Sequence, residues 1–138
     1  MGPFGPTPSG GAILHIAMNI DVNWEEEIAA WYAEEHIADL MSAPGFVSGR
    51  RFLLSPTRGS KPEELAQDRA RQSQNKQLTL YQLEEEGALQ SREYMASRYN
   101  QTPLTRKVLP NIPYVRSVYR QVFPESGAFE DKTGSRRV

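Results

Sequence analysis

The chain contains no cysteine, so it has neither a disulfide framework nor thiolate chemistry, which fits a reducing, cytoplasmic setting. No apolar run approaches the roughly 20 residues that a membrane-crossing helix needs, so no membrane partner is expected. A formal net charge of −1 over 138 residues leaves no basic footprint for nucleic acid. No glycine-rich loop joins a strand to a helix, which removes the phosphate-cradling and dinucleotide motifs, and no Gly-x-Ser-x-Gly elbow is present. Histidine is scarce too, with only His15 and His36. Glu35, Asp39 and the two histidines carry suitable N and O atoms. There is no His-x-x-x-His or Glu-x-x-His pair on a helix, however, so neither a metal nor another cofactor is expected.

What is present is one domain's worth of alternating strands and helices. Residues 1–11, "MGPFGPTPSGG", read as a flexible leader, with neither the basic nor the apolar region of a secretory signal. "AILHIAMNI" (12–20) has strand length and β-branched residues. Leu14, Ile16, Met18 and Ile20 line one face, and Ile13, His15, Ala17 and Asn19 the other. "DVNWEEE" then starts a helix, with Asp21 or Asn23 as cap and three glutamates at the positive end of the dipole. The helix is expected to end near Met41 or Ser42, since Pro44 cannot continue it and Gly45 suits a turn.

"FVSGRRFLL" (46–54) reads as the second strand, followed by a polar insertion at 55–75 with two prolines. "KQLTLYQLE" (76–84) is the third strand. "EEGALQSREYMASRYN" is the second helix, with Ala88, Arg92, Met95, Ala96 and Tyr99 on one side, and "TPLTRKVLPNIP" is a proline-broken connector. "YVRSVYRQVF" (114–123) is the fourth strand, and 124–138 a polar tail. The order β-α-β-β-α-β across residues 12–123 is the ferredoxin-like α+β plan: a four-stranded antiparallel sheet with both helices on one face. The last strand carries Val115, Tyr119 and Phe123 on one side and Tyr114, Val118 and Val122 on the other. One helix layer does not bury both sets, so a homodimer packed sheet against sheet is expected.

The chemistry concentrates in "WYAEEHIADLMSAPGF" (31–46). At about 100° per residue, Ile28, Tyr32 and His36 form one stripe of the helix, with Trp24, Trp31 and Glu35 on the next and Asp39 close by. His36 there is the candidate general acid or base, because an imidazole titrates near working pH. Trp31 and Tyr32 are candidates to line an apolar pocket for a hydrophobic or aromatic small molecule. If the His15 face of the first strand looks toward the helices, His15 and His36 converge; if it looks at a dimer partner, His15 is structural. Tyr81 and Tyr119 can bury a ring and present a phenol. Arg50 and Arg51 point to opposite faces, and Arg51 is the candidate to neutralise a substrate oxygen.

The run Ile28, Trp31, Tyr32, His36, Leu40, Pro44, Gly45 resembles the first-helix signature of EthD-like proteins in the dimeric α/β-barrel superfamily. That resemblance implies a small cofactor-independent enzyme acting on aromatic or polyketide-like substrates, as cyclase, dehydratase, isomerase or monooxygenase. His36 would then move a proton, with His15, Tyr81 or Arg51 anchoring the substrate's oxygen. The reading beside it is a non-catalytic homodimer that binds a hydrophobic small molecule or a protein partner.

Overall fold

The computed structural model describes residues 11–55 and 76–129. The leader before Gly11, the polar insertion after Ser55 and the tail beyond Phe129 lie outside the described residues. Four strands form one antiparallel sheet: β1 (Ala12–Met18), β2 (Phe46–Leu53), β3 (Gln77–Leu83) and β4 (Tyr114–Arg120). Their spatial order is β2-β3-β1-β4, the ferredoxin-like arrangement expected from the element order.

The register decides which residues share a face. Leu14 lies opposite Tyr81 and Val118, and Met18 opposite Gln77 and Tyr114. Across the other pairing, Gly49 lies opposite Tyr81 and Arg51 opposite Thr79. These residues share the helix-covered face, where Leu14, Met18, Thr79, Tyr81 and Leu83 are almost wholly buried. The alternate residues, including Ile13, His15, Phe52 and Tyr119, point away from the helices.

The helix layer starts with α1 (Glu25–Trp31), passes through a π-helical turn (Tyr32–His36) and continues as α2 (Ile37–Met41). A short 3-10 turn at Val22–Trp24 leads in, capped by Asp21, whose carboxylate accepts from the Asn23 amide. The stop falls where Pro44 and Gly45 require it. Gly45 takes φ +88°, and a Cβ there would sit 2.6 Å from the Cβ of Ala88, so no larger residue fits this turn.

The second half of the layer differs from the expectation. After a 3-10 segment at Glu86–Gln90, Ser91 caps α3 (Arg92–Tyr99) by accepting from the Tyr94 amide. Starting at Arg92 rather than Glu85 shifts the helix phase, so Tyr94 is the buried residue, whereas Met95 is 38% and Tyr99 78% exposed. The proline-broken connector also proves to hold a helix, α4 (Pro103–Val108). Pro103 opens it, because the first turn has no use for the missing amide, and Thr102 caps it.

The core forms two clusters. One gathers Leu14, Leu40, Phe46, Tyr81, Leu83 and Tyr94; the other gathers Met18, Ile28, Trp31, Tyr32, Val108 and Ile112. Ile16 and Ile37 pack against both. Each fully buried aliphatic side chain contributes about 1.5–3 kcal/mol to this packing. Among the described residues, no helix is long and apolar enough to cross a membrane.

Candidate functional site

Between the first helix, α3, α4 and the β1–β4 half of the sheet lies a cavity of about 780 Å³. That size falls in the range of small-molecule pockets, roughly 300–1,000 Å³. Leu14, Ile16 and Met18 of β1 contribute to its floor, and Trp31, Tyr32, His36 and Leu40 form the first helix's wall. Tyr94 and Arg98 of α3, Thr105 of α4, and Tyr114 and Arg116 of β4 complete much of the rest.

The π turn sets the geometry of that wall. In an α-helix, residue i+5 stands about 140° from residue i, so Trp31 and His36 would point apart. The i→i+5 bonding of the π turn widens the helix and brings them together. Their rings stack at 4.0 Å between centroids with an interplanar angle of 16°. Tyr32 meets the imidazole edge-on at 5.6 Å. Among the described residues nothing hydrogen-bonds or ion-pairs with His36; its neighbours are aromatic faces. Burial without a compensating partner lowers its pKa to about 4, so the imidazole is neutral at physiological pH.

Trp31 is fixed from its other side. Its Nε1–H donates to Thr105 Oγ1 at 2.9 Å, and the Thr105 and Thr102 hydroxyls lie 3.1 Å apart. Thr102 in turn donates to the Glu35 carboxylate. Because a hydroxyl has one proton, the Thr102 proton goes to Glu35, and Thr105 supplies the proton between the two threonines. The chain therefore runs from indole to Thr105, to Thr102, to Glu35. It ties α4 to the first helix and locks the indole against which His36 stacks.

Of the residues singled out in the sequence, Trp31, Tyr32 and His36 come together on the cavity wall. The others do not join them. His15 lies on the opposite face of the sheet, with its ring edge-on to Tyr119 at 5.5 Å, so neither residue reaches the cavity and the convergence of the two histidines does not occur. β1 is apolar on both faces, so its alternation pattern does not say which face the helices cover.

Tyr81 and Arg51 do face the helices but lie outside the cavity lining. The Arg51 guanidinium sits 4.6 Å from the centre of the Tyr32 ring. Burial pushes the Tyr81 phenol well up, with the Tyr32 and Tyr94 phenols adding to the effect and Arg51 opposing it. Burial also raises Tyr32, with Arg51 opposing it. Both phenols therefore keep their protons. Tyr81 Oη, Thr79 Oγ1 and Arg51 Nε are buried without a hydrogen-bond partner among the described residues.

Two functional candidates are absent from the sequence reading. Arg116, half-buried on β4, donates from Nη2 to Tyr94 Oη at 3.1 Å, and Arg98 stands 6.0 Å from the Tyr94 ring centre. The signal for Arg116 is its position between Tyr114 and Val118 on one face of β4, where a charged residue interrupts the apolar alternation. No group of three or more His, Cys, Asp or Glu residues gathers as a metal site among the described residues.

Sheet order, one-sided helix layer and a cavity between them define a ferredoxin-like α+β protein. In sequence the chain matches no family model and no curated protein. In structure it is similar to an EthD (ethyl tert-butyl ether D) family protein from Bacillus halodurans, with a TM-score of 0.52 and 11% identity over 80% of this chain and 99% of that one. A variant of SnoaB, a cofactor-independent oxygenase from Streptomyces nogalater, aligns at a TM-score of 0.50 and 12% identity, over 83% of this chain and 98% of its own. At such identities the likeness is one of fold, and that fold is the one implied by the EthD-like resemblance of the first helix.

Proposed function

We propose that this chain is a small cofactor-independent enzyme that moves a proton on a cyclic or aromatic substrate, as a cyclase, dehydratase or isomerase. One observation supports this above the rest: a neutral imidazole on the wall of a cavity, held by aromatic stacking and free of hydrogen bonds among the described residues. Such a group has its ring nitrogens available to a ligand. Burial disfavours the imidazolium, so His36 holds a proton stably only when negative charge develops beside it. An enolate or phenolate formed by deprotonating the substrate supplies that charge. Proton uptake is thereby coupled to the reacting anion, and the imidazolium is a strong acid for the return step. Trp31 and Tyr32 supply flat apolar surface, and Arg116 stabilises charge on the substrate.

The working unit in this proposal is a homodimer. Ile13, Phe52, Val115 and Tyr119 are 40–60% exposed on the face of the sheet that carries no helices, an apolar surface that a second copy would cover.

The test is hydrogen–deuterium exchange at acidic C–H positions of a panel of cyclic and aromatic ketones in D₂O, followed by NMR. The wild-type protein is expected to accelerate exchange, and His36→Ala to reduce it about 10²–10⁴-fold while ligand still binds. Equal exchange in both proteins, with binding retained, would replace the enzyme by a non-catalytic small-molecule binder. That alternative draws on the lack, among the described residues, of a carboxylate or carbonyl orienting the imidazole.

A further inference from the structure

We propose that the cavity selects ring compounds bearing a carboxylate, and that Arg116 is the group that seats it. The inference rests on reading the cavity as a substrate pocket, but not on any role for His36. Its starting point is charge balance. The ion pairs among the described residues are Lys107 with Glu27 and Arg120 with Glu86, both at the surface. Arg116 and Arg98 line the cavity and take part in neither. Asp39 and Glu93 also stand on the cavity wall, but both are exposed and neither forms an ion pair with these guanidinium groups. Arg51 adds a third unpaired guanidinium behind the Tyr32 wall.

Arg116 is also positioned. Its Nη2 donates to Tyr94 Oη, and Tyr94 is held by stacking on Phe46 at 5.4 Å and by the Ser91 cap on its amide. One arm of the guanidinium is thus fixed by a neutral oxygen, which leaves its charge uncancelled and the rest of its donors for a ligand. A planar fork held half-buried beside an apolar floor suits a carboxylate attached to a flat ring system. Arg98, more exposed and 6.0 Å from the Tyr94 ring centre, adds attraction at longer range. A neutral hydrocarbon would fill the same floor and leave the guanidinium partly desolvated without a partner.

The experiment is isothermal titration calorimetry of the full chain at low salt with 2-naphthoate and with its neutral isostere 2-naphthamide. The wild-type protein is expected to bind the carboxylate at least about tenfold more tightly, and Arg116→Gln to abolish that difference while leaving amide binding in place. His36→Ala keeps the preference, so a failure of proton transfer and a failure of anion selection fall on different residues. Arg98 is exposed, so Arg98→Gln is tolerated whatever Arg116→Gln does to folding. It should weaken naphthoate about threefold, and 0.5 M salt should shrink the preference further. Equal binding of the two probes by the wild-type protein, binding of neither, or an unchanged preference in whichever arginine variant folds would overturn the proposal.

Discussion

The two faces of the sheet are built from the same strands, yet they differ in how their polar groups are arranged. On the helix-covered face, Leu14, Met18, Tyr81 and Leu83 are fully packed, and the polar groups among them are Gln77, Thr79, Arg51, Arg116, Arg120 and the phenols. On the other face, large apolar side chains share the surface with Ser48, Ser117, His15, Gln82 and the exposed Arg50, and Tyr119 is 55% exposed. A face that must hold a cavity needs placed polar groups within a hydrophobic frame. A face that must meet a copy of itself needs only apolar area and shape. In the proposed reading one side serves ligands and the other assembly, and substitutions on the two faces test that division.

The largest expected effect is in the core. Leu14→Ala should cost about 2–5 kcal/mol in urea unfolding, whereas Ile13→Ala, one residue along on the other face, should cost about 1 kcal/mol or less in the monomer. Equal losses would mean that the two faces are packed alike. Next, Tyr119→Asp places a charge at the proposed interface. Sedimentation should show the dimer dissociating with the fold retained, the dissociation constant rising by about two orders of magnitude. An unchanged sedimentation coefficient would remove the assembly role from this face.

A subtler test uses pH. His36 titrates near 6.5 when unfolded and about 4 when folded, so between those values the unfolded chain holds a proton that the folded chain refuses. Its contribution to stability is complete above pH 6.5 and drains away as pH falls through 4. The urea midpoint of His36→Phe should therefore fall less than that of the wild-type protein between pH 7 and pH 4.5. Smallest is the surface: Glu27→Gln, which removes the Lys107 ion pair, should change stability by under about 0.5 kcal/mol.

The fold was largely legible because its punctuation is local. Asp21 and the glutamates open the first helix, Pro44 and Gly45 close it, and the strands carry apolar alternation. Three features were not legible, each for a physical reason. Proline marks the start of α4 as readily as it marks a break, and only the Thr102 cap beside Pro103 tells the two apart. The choice of face for His15 depends on tertiary packing, since β1 is apolar on both sides. The stacking of His36 on Trp31 requires i→i+5 bonding, which a 3.6-residue period does not encode. Trp31, Tyr32 and His36 were visible as an aromatic group around an imidazole, whereas Arg116 is distinguished only once the fold brings β4 beneath α3.

The π turn has one more consequence. A helix that spends an additional residue on one wide turn can give that residue up again without losing its ends. Removing Ala33 would let residues 32–36 relax to ordinary helical winding, with the Asp21 lead-in and the Pro44 stop still available at the two termini. The deletion would make Trp31 and His36 neighbours at i and i+4, about 40° apart on an ordinary helix, so the side chains on either side of the turn would keep the faces they hold now. The imidazole would stay beside the indole, and Glu35 would keep the side of the helix from which it meets Thr102. Position 33 is thus the surplus residue of the wide turn, exposed and chemically plain, which the helix carries without moving the side chains on either side of it.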